Sequence, residues 1–175
     1  MGANEQDRWY LEAAAAYGAA LDRLARAYEA DQEKRRDLLQ EVHLALWRSF
    51  QGFDARCSLR TWVYRVAHNA ATSYVIRQRR SRASALVSLE ELETLPDPVQ
   101  SERAADRRHS LDRLLELIQQ LTPLDRQVIL SYLEGLDAAA TAEITGISPG
   151  NVATKIHRIK NLLAQRFHRG GNHAE

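Results

Sequence analysis

The sequence predicts an all-α fold: two small helical domains joined by a flexible acidic linker, the second ending in a helix-turn-helix. Three observations carry this. Apolar residues recur every three or four positions over most of the chain, and no alternating strand pattern with glycine-rich turns occurs. Capping residues and Gly or Pro punctuation stand where the apolar stripes start and stop. Charge also changes sign along the chain. At 175 residues, with 45% hydrophobic and 27% charged, it has enough apolar material for two small cores.

The first helix is expected from Trp9 to about Glu29, on Leu11, Ala14, Ala15, Leu21, Leu24, Ala25 and Tyr28. Asp31 can cap a second through about Phe50, with Leu38, Val42, Leu46 and Trp47 as its stripe and Gly52 past its end. These two are expected to pack antiparallel. Ser58 can cap a third, long helix carrying Leu59, Trp62, Val63, Val66, Ala70 and Val75 before Arg77, Arg79 and Arg80. Residues 1–80 thus form the first domain. Periodicity fades over residues 81–110, where Pro96 and Pro98 preclude a long helix, so this stretch reads as a linker. Residues 111–175 form the second domain, and spacing resumes there with Leu111, Leu114, Leu115, Ile118 and Leu121. Thr122-Pro123 opens a helix with Val128, Ile129, Tyr132 and Leu133 that Gly135 closes. Asp137 caps a short helix through Ile144, Thr145-Gly146 turns, and Ser148-Pro149 opens the last helix, through about Phe167.

The net charge of +1 averages over opposites. From Asp54 to Arg82 there are seven arginines against one acid, and from Ser148 to Gly170 five basic residues against none. Between them, Ser84 to Glu102 holds five acids and neither Lys nor Arg. Two basic islands around an acidic strip point to two contacts with a polyanion, joined by a segment that avoids it. Cys57 is the one cysteine, which excludes an internal disulfide and a multi-cysteine metal cage. None of the six histidines pairs at ligand spacing, so neither a metal, a cofactor nor catalysis is expected. Without an apolar run of eighteen residues or a secretory leader pattern, membrane insertion is not expected and a cytoplasmic location is.

Ala142, Gly146 and Val152 have helix-turn-helix spacing: a small residue for close approach, a glycine for the turn, an apolar anchor for the second helix. The final helix then presents Asn151, Thr154, Lys155 and Arg158 on one face, preceded by Ser148 and Gly150, whose backbone amides suit a phosphate. In the other island, arginines interleave with rings: Phe53, Arg56, Arg60, Trp62, Tyr64, Arg65, Tyr74, Arg77, Arg79 and Arg80. Rings beside cations suit unpaired bases more than a duplex. Trp62 fits either a stacking platform or a core ring.

These residues resemble the sigma factors of bacterial RNA polymerase, in the extracytoplasmic-function (ECF) group. Asp37 through Trp47 is similar to the family's region-two helix, and Ser58 through Asn69 to its promoter-melting segment. Leu121 through Leu130 and Gly146 through Arg158 are similar to region four. The resemblance implies that Asp37, Gln40 and Glu41 dock on the β′ clamp helices of core RNA polymerase, with the β flap as the second domain's contact. It implies that the loop at Phe53–Ser58, Arg56 included, holds a flipped base of the −10 element. Arg60, Trp62, Asn69, Arg77 and Arg80 would contact the same DNA. Ser148, Gly150, Asn151, Thr154, Lys155 and Arg158 would read the −35 element. It further implies promoter DNA and an anti-sigma factor as partners. The chain departs from the family pattern at His43, Ser73, Ala140, Thr141 and Ala153. The alternative is a helix-turn-helix regulator that binds duplex DNA without polymerase, which leaves Trp62 and its arginines unused.

Overall fold

The computed structural model describes residues 3–80 and 107–169, and among these every regular element is helical. The linker expected at 81–110 falls, up to residue 106, outside the described residues. Helix α1 spans Ala3–Tyr28, α2 Gln32–Ser49 and α3 Leu59–Arg80, with a 3₁₀ turn at Phe50–Gly52. Then follow α4 (Arg107–Gln120), α5 (Pro123–Leu133), α6 (Ala138–Thr145) and α7 (Pro149–Arg169).

Local chemistry sets these boundaries. The Asp31 carboxylate accepts the Glu33 and Lys34 amides at 3.0 Å each, and the Ser58 hydroxyl accepts that of Thr61 at 3.0 Å, so orphan donors at both helix starts are satisfied. Thr122 caps α5 with Pro123 in its first turn, and Asp137 accepts the Ala140 amide at 2.7 Å. Gly135 and Gly146 adopt φ of 74° and 76°, the left-handed region that glycine enters without a Cβ penalty. Helix α1 begins six residues before the expected Trp9, because residues 4–8 are all polar and carry no apolar stripe to announce it.

The first three helices form an antiparallel bundle. Gln6 donates to the Trp47 carbonyl (2.8 Å), the Trp47 indole donates to Asp7 (2.8 Å), and Tyr74 donates to the Lys34 carbonyl (3.0 Å). Between them lie Leu21, Leu24, Leu38, Val42, Leu46, Phe50, Val63, Ala67 and Ala71, all buried. The small Ala67 and Ala71 let α3 approach its neighbours closely, as dense packing requires. In the second bundle Ile118, Leu121, Val128, Ile129, Val152 and Ile159 are buried.

Several residues placed in stripes by spacing face outward instead: Leu11, Trp47, Leu111, Tyr132 and Leu133 are exposed. Spacing assigns a face, but a face is covered only where another helix lies over it. The two bundles are also not separate bodies. Their buried residues form one continuous cluster, and Gln127 reaches Thr72 (3.1 Å) while Gln119 donates to the Arg26 carbonyl (2.9 Å). Arg126, 1% exposed, lays its guanidinium 5.0 Å from the Tyr28 ring centre and donates to the Leu121 carbonyl at 3.1 Å. It thereby satisfies carbonyls at the end of α4 and joins that end to α1.

Candidate nucleic-acid interface

The segment from Phe53 to Ser58 is held from beneath. Phe53 is buried, with its ring 5.2 Å from Trp9, 5.9 Å from Phe50 and 5.1 Å from Trp62, centre to centre. Phe53 therefore anchors the loop and offers no exposed ring, which corrects its expected place among the outward contacts. Above it, Ala55 turns the backbone through φ 59°. Among the described residues it is the one non-glycine in that region, where a side chain costs free energy that the surroundings must repay. Arg56 projects from the turn with its side chain 88% exposed and pairs with Asp54 at 2.9 Å.

Trp62 packs on the core with one part of its ring and leaves another part open. It is half-buried against Phe53, its indole N–H donates to Ser49 Oγ (2.9 Å), and the Arg65 guanidinium sits 4.9 Å from its ring centre. Gly52, Asp54, Arg56, Cys57, Trp62 and Arg65 line one open depression, completed by Glu143 from α6. A fixed ring flanked by guanidinium groups suits an unpaired base with its phosphates.

Further along α3 the expected contacts diverge. Asn69 is exposed. Arg77 is paired with the Glu41 carboxylate on α2, and Arg80 is the last residue of α3. Arg60 is half-buried, and its guanidinium donates to the backbone carbonyl of Glu134 in the second bundle. Asp37, Gln40 and Glu41 lie together with Leu44, Tyr74 and Gln78 around a shallow hollow. Leu44 and Trp47 are exposed beside it, giving an acidic rim with apolar contacts that suits a protein partner.

Ser148, just before α7, and Gly150, Asn151, Thr154 and Arg158 on it are all exposed. The Ser148 hydroxyl accepts the Asn151 amide (3.3 Å), and Thr154 donates to the Gly150 carbonyl (3.0 Å). Lys155 departs from this face. Its ammonium lies 2.6 Å from Asp125 Oδ1, a carboxylate whose side chain is 5% exposed. Helical spacing could not reveal this, because Asp125 lies 30 residues earlier on α5.

Sequence reasoning missed Glu134. It receives Arg23 through two bonds of 2.7 Å (Nε to Oε1, Nη2 to Oε2) and the Tyr64 hydroxyl at 3.1 Å. The Arg23 bonds, then the Tyr64 bond, hold its carboxyl below the usual range, against the opposing effect of burial. Burial first, then the Glu134 charge, raises the Tyr64 phenol. One signal was available: Glu134 is the C-cap of α5, and an acid at the negative end of a helix dipole asks for a cation nearby.

No described helix is long and apolar enough to cross a membrane, and among the described residues no group of His, Cys, Asp and Glu could hold a metal ion. Residues 14–81 match the family model of Sigma-70 region 2, and residues 111–163 that of Sigma-70, region 4. The chain is 24% identical over 149 residues to RNA polymerase sigma factor NccH of Alcaligenes xylosoxydans xylosoxydans, covering 84% of this chain and 80% of that one. It is 26% identical over 145 residues to ECF RNA polymerase sigma factor SigX of Bacillus subtilis (strain 168), covering 78% and 72%. In fold it is similar to the sigma factor RpoE in its complex with the anti-sigma factor NepR from Bartonella quintana. The TM-score is 0.67 at 16% identity, over 91% of this chain and 96% of that one.

Proposed function

Because this chain belongs to the sigma-70 family, as an ECF sigma factor that binds core RNA polymerase and directs it to promoters, we propose a division of that work among its surfaces. Residues 1–80 act as region two and residues 111–175 as region four, with 81–110 between them as linker. Asp37, Gln40 and Glu41 dock on the β′ clamp helices, and the second bundle on the β flap. The depression around Trp62 captures the separated −10 strand, with Arg56, Arg60, Asn69, Arg77 and Arg80 along its path. Ser148, Gly150, Asn151, Thr154 and Arg158 read −35 duplex. Sigma factors are initiation factors rather than enzymes, and working on polymerase places the chain in the cytoplasm. A regulator of the anti-sigma kind, like the one seen with the Bartonella quintana protein, is assigned to the same exposed faces.

The observation carrying strand capture is the depression itself, where one ring and two guanidinium groups converge beside a strained turn. Stacking contributes roughly 1–3 kcal/mol per base, which favours the separated strand over the duplex. Holoenzyme carrying Arg56→Ala is expected to form closed complexes normally but to lose most permanganate-reactive open complex, with transcription restored on a premelted bubble. Trp62→Ala is expected to do the same after allowance for its packing on Phe53, measured by thermal melting. Full open-complex formation by a folded Arg56→Ala, Trp62→Ala double variant would remove the depression from promoter opening.

For core docking, Gln40→Lys with Glu41→Lys is expected to weaken pull-down of core enzyme at least tenfold. The fold should hold, since Glu41 and Arg77 form an exposed pair worth under about 1 kcal/mol. Undiminished pull-down would relocate the docking face.

A further inference from the structure

The first turns of α1 hold one residue of α2 at two points. On α2, Gln40, Leu44 and Trp47 follow one another at helical spacing and so form one row. Gln40 and Leu44 border the hollow shared with Asp37 and Glu41, and Trp47 stands one step further on, 40% exposed. The Trp47 carbonyl belongs to the last turn of α2, where backbone oxygens lack donors within the helix. Gln6, itself buried, supplies a donor at 2.8 Å. The Trp47 indole N–H donates to the Asp7 carboxylate, also at 2.8 Å. Three residues after Asp7, the Tyr10 hydroxyl and His43 Nδ1 share a bond of 3.1 Å, their rings 6.0 Å apart and nearly perpendicular. His43, a position where the chain departs from the family pattern, thus gives the α1–α2 seam a polar tie one turn before Trp47. Asp7 and Trp47 are both exposed, so water competes for their bond and it adds little to folding. What the bond does is fix an outward-facing ring.

We infer that Asp7 is a positioning residue for core docking: it holds the Trp47 indole so that the row through Gln40 and Leu44 ends in an aromatic anchor for core RNA polymerase. The inference rests on the docking assignment of Asp37, Gln40 and Glu41, whose face Trp47 continues. Tryptophan is enriched where interfaces concentrate their binding energy, and an apolar contact beside a polar rim is the usual setting. A free indole would lose rotamer freedom on docking. One already held by a charge-assisted bond loses less, a difference worth about fivefold in affinity.

The test measures the affinity of the full chain for core RNA polymerase, beside thermal melting of each variant. Asp7→Ala is expected to weaken binding about fivefold with an unchanged melting temperature. Asp7→Asn, whose side-chain oxygen still accepts the indole N–H, is expected to bind like wild type. Trp47→Ala is expected to weaken binding about tenfold or more, as loss of an aromatic anchor does, and adding Asp7→Ala to it to cost nothing further. Trp47→Phe keeps a ring without the N–H and is expected to match Asp7→Ala, which tests the tether even where Trp47→Ala melts early. Wild-type binding by Asp7→Ala or Trp47→Phe would overturn the positioning role. Equal losses in Asp7→Ala and Asp7→Asn, or losses that add to that of Trp47→Ala, would make the Asp7 charge a contact of its own and overturn it as well. The Gln40→Lys, Glu41→Lys pull-down separates the two readings. Undiminished, it means that the docking face itself has failed; diminished while a folded Trp47→Ala binds normally, it means that only the extension to Trp47 falls.

Discussion

Replacing Lys155 with methionine is expected to cost the folded chain about 3 kcal/mol, although the residue stands in sequence among the DNA-reading positions of α7. Its ammonium is 2.6 Å from an Asp125 carboxylate that is 5% exposed. Removing one member of a buried pair strands the other without its counter-charge, typically at about 3–5 kcal/mol. Two features place the expectation at the lower end. Asp125 lies in the first turn of α5, where the helix dipole favours an anion, and the Thr122 hydroxyl donates to it at 2.7 Å. Arg158→Ala makes the contrast. Being exposed, it should change stability by under about 0.5 kcal/mol, yet weaken −35 duplex binding by about 1–3 kcal/mol if it contacts a base edge in two bonds. Urea unfolding of the full chain beside holoenzyme binding to −35 duplex separates the two roles. Lys155→Met with wild-type stability and lost duplex affinity would return Lys155 to the reading face.

Acid is expected to destabilise the chain through His68 by up to roughly 5 kcal/mol, taking about 1.4 kcal/mol per pH unit. The imidazole is wholly buried between α1 and α3, 3.0 Å from the Tyr28 hydroxyl, and its Nε2 has no hydrogen-bond partner. Burial depresses its pKa from 6.5 to about 3, and the Glu134 charge offsets only part of this. The folded chain therefore keeps His68 neutral, while the unfolded chain takes up a proton as pH falls through 6.5. Above that value the group costs nothing; between 6.5 and about 3 the unfolded state gains progressively. His68→Asn preserves a polar atom near Nδ1 for Tyr28 and removes the titration. Its stability at neutral pH should fall, but its decline between pH 6.5 and 4 should be shallower than that of the wild type. Parallel declines would show that His68 is protonated in the fold.

How far the sequence reaches is clearest at the helix ends. Asp31, Ser58, Thr122-Pro123, Asp137 and Ser148-Pro149 each cap or open the helix they were expected to, because capping is an interaction between residues two or three apart. Gly135 and Gly146 likewise announce their turns, since few other residues enter that backbone region without strain. The exposed face of Asn151, Thr154 and Arg158 follows from helical period, whereas Asp37, Gln40 and Glu41, which border one hollow, were singled out by the family resemblance. What a face meets lay beyond that local information. Phe53 went into the core and Lys155 turned to Asp125. Arg60 was taken up by a carbonyl 74 residues away, and Arg23 found Glu134 at a separation of 111. Such pairings are decided by how two bundles stack. The sequence by itself determined the helices, their caps and the two basic islands, whereas only the tertiary structure decided which of those charges face solvent and which already hold an acid, because burial and ion pairing depend on neighbours that no local period encodes.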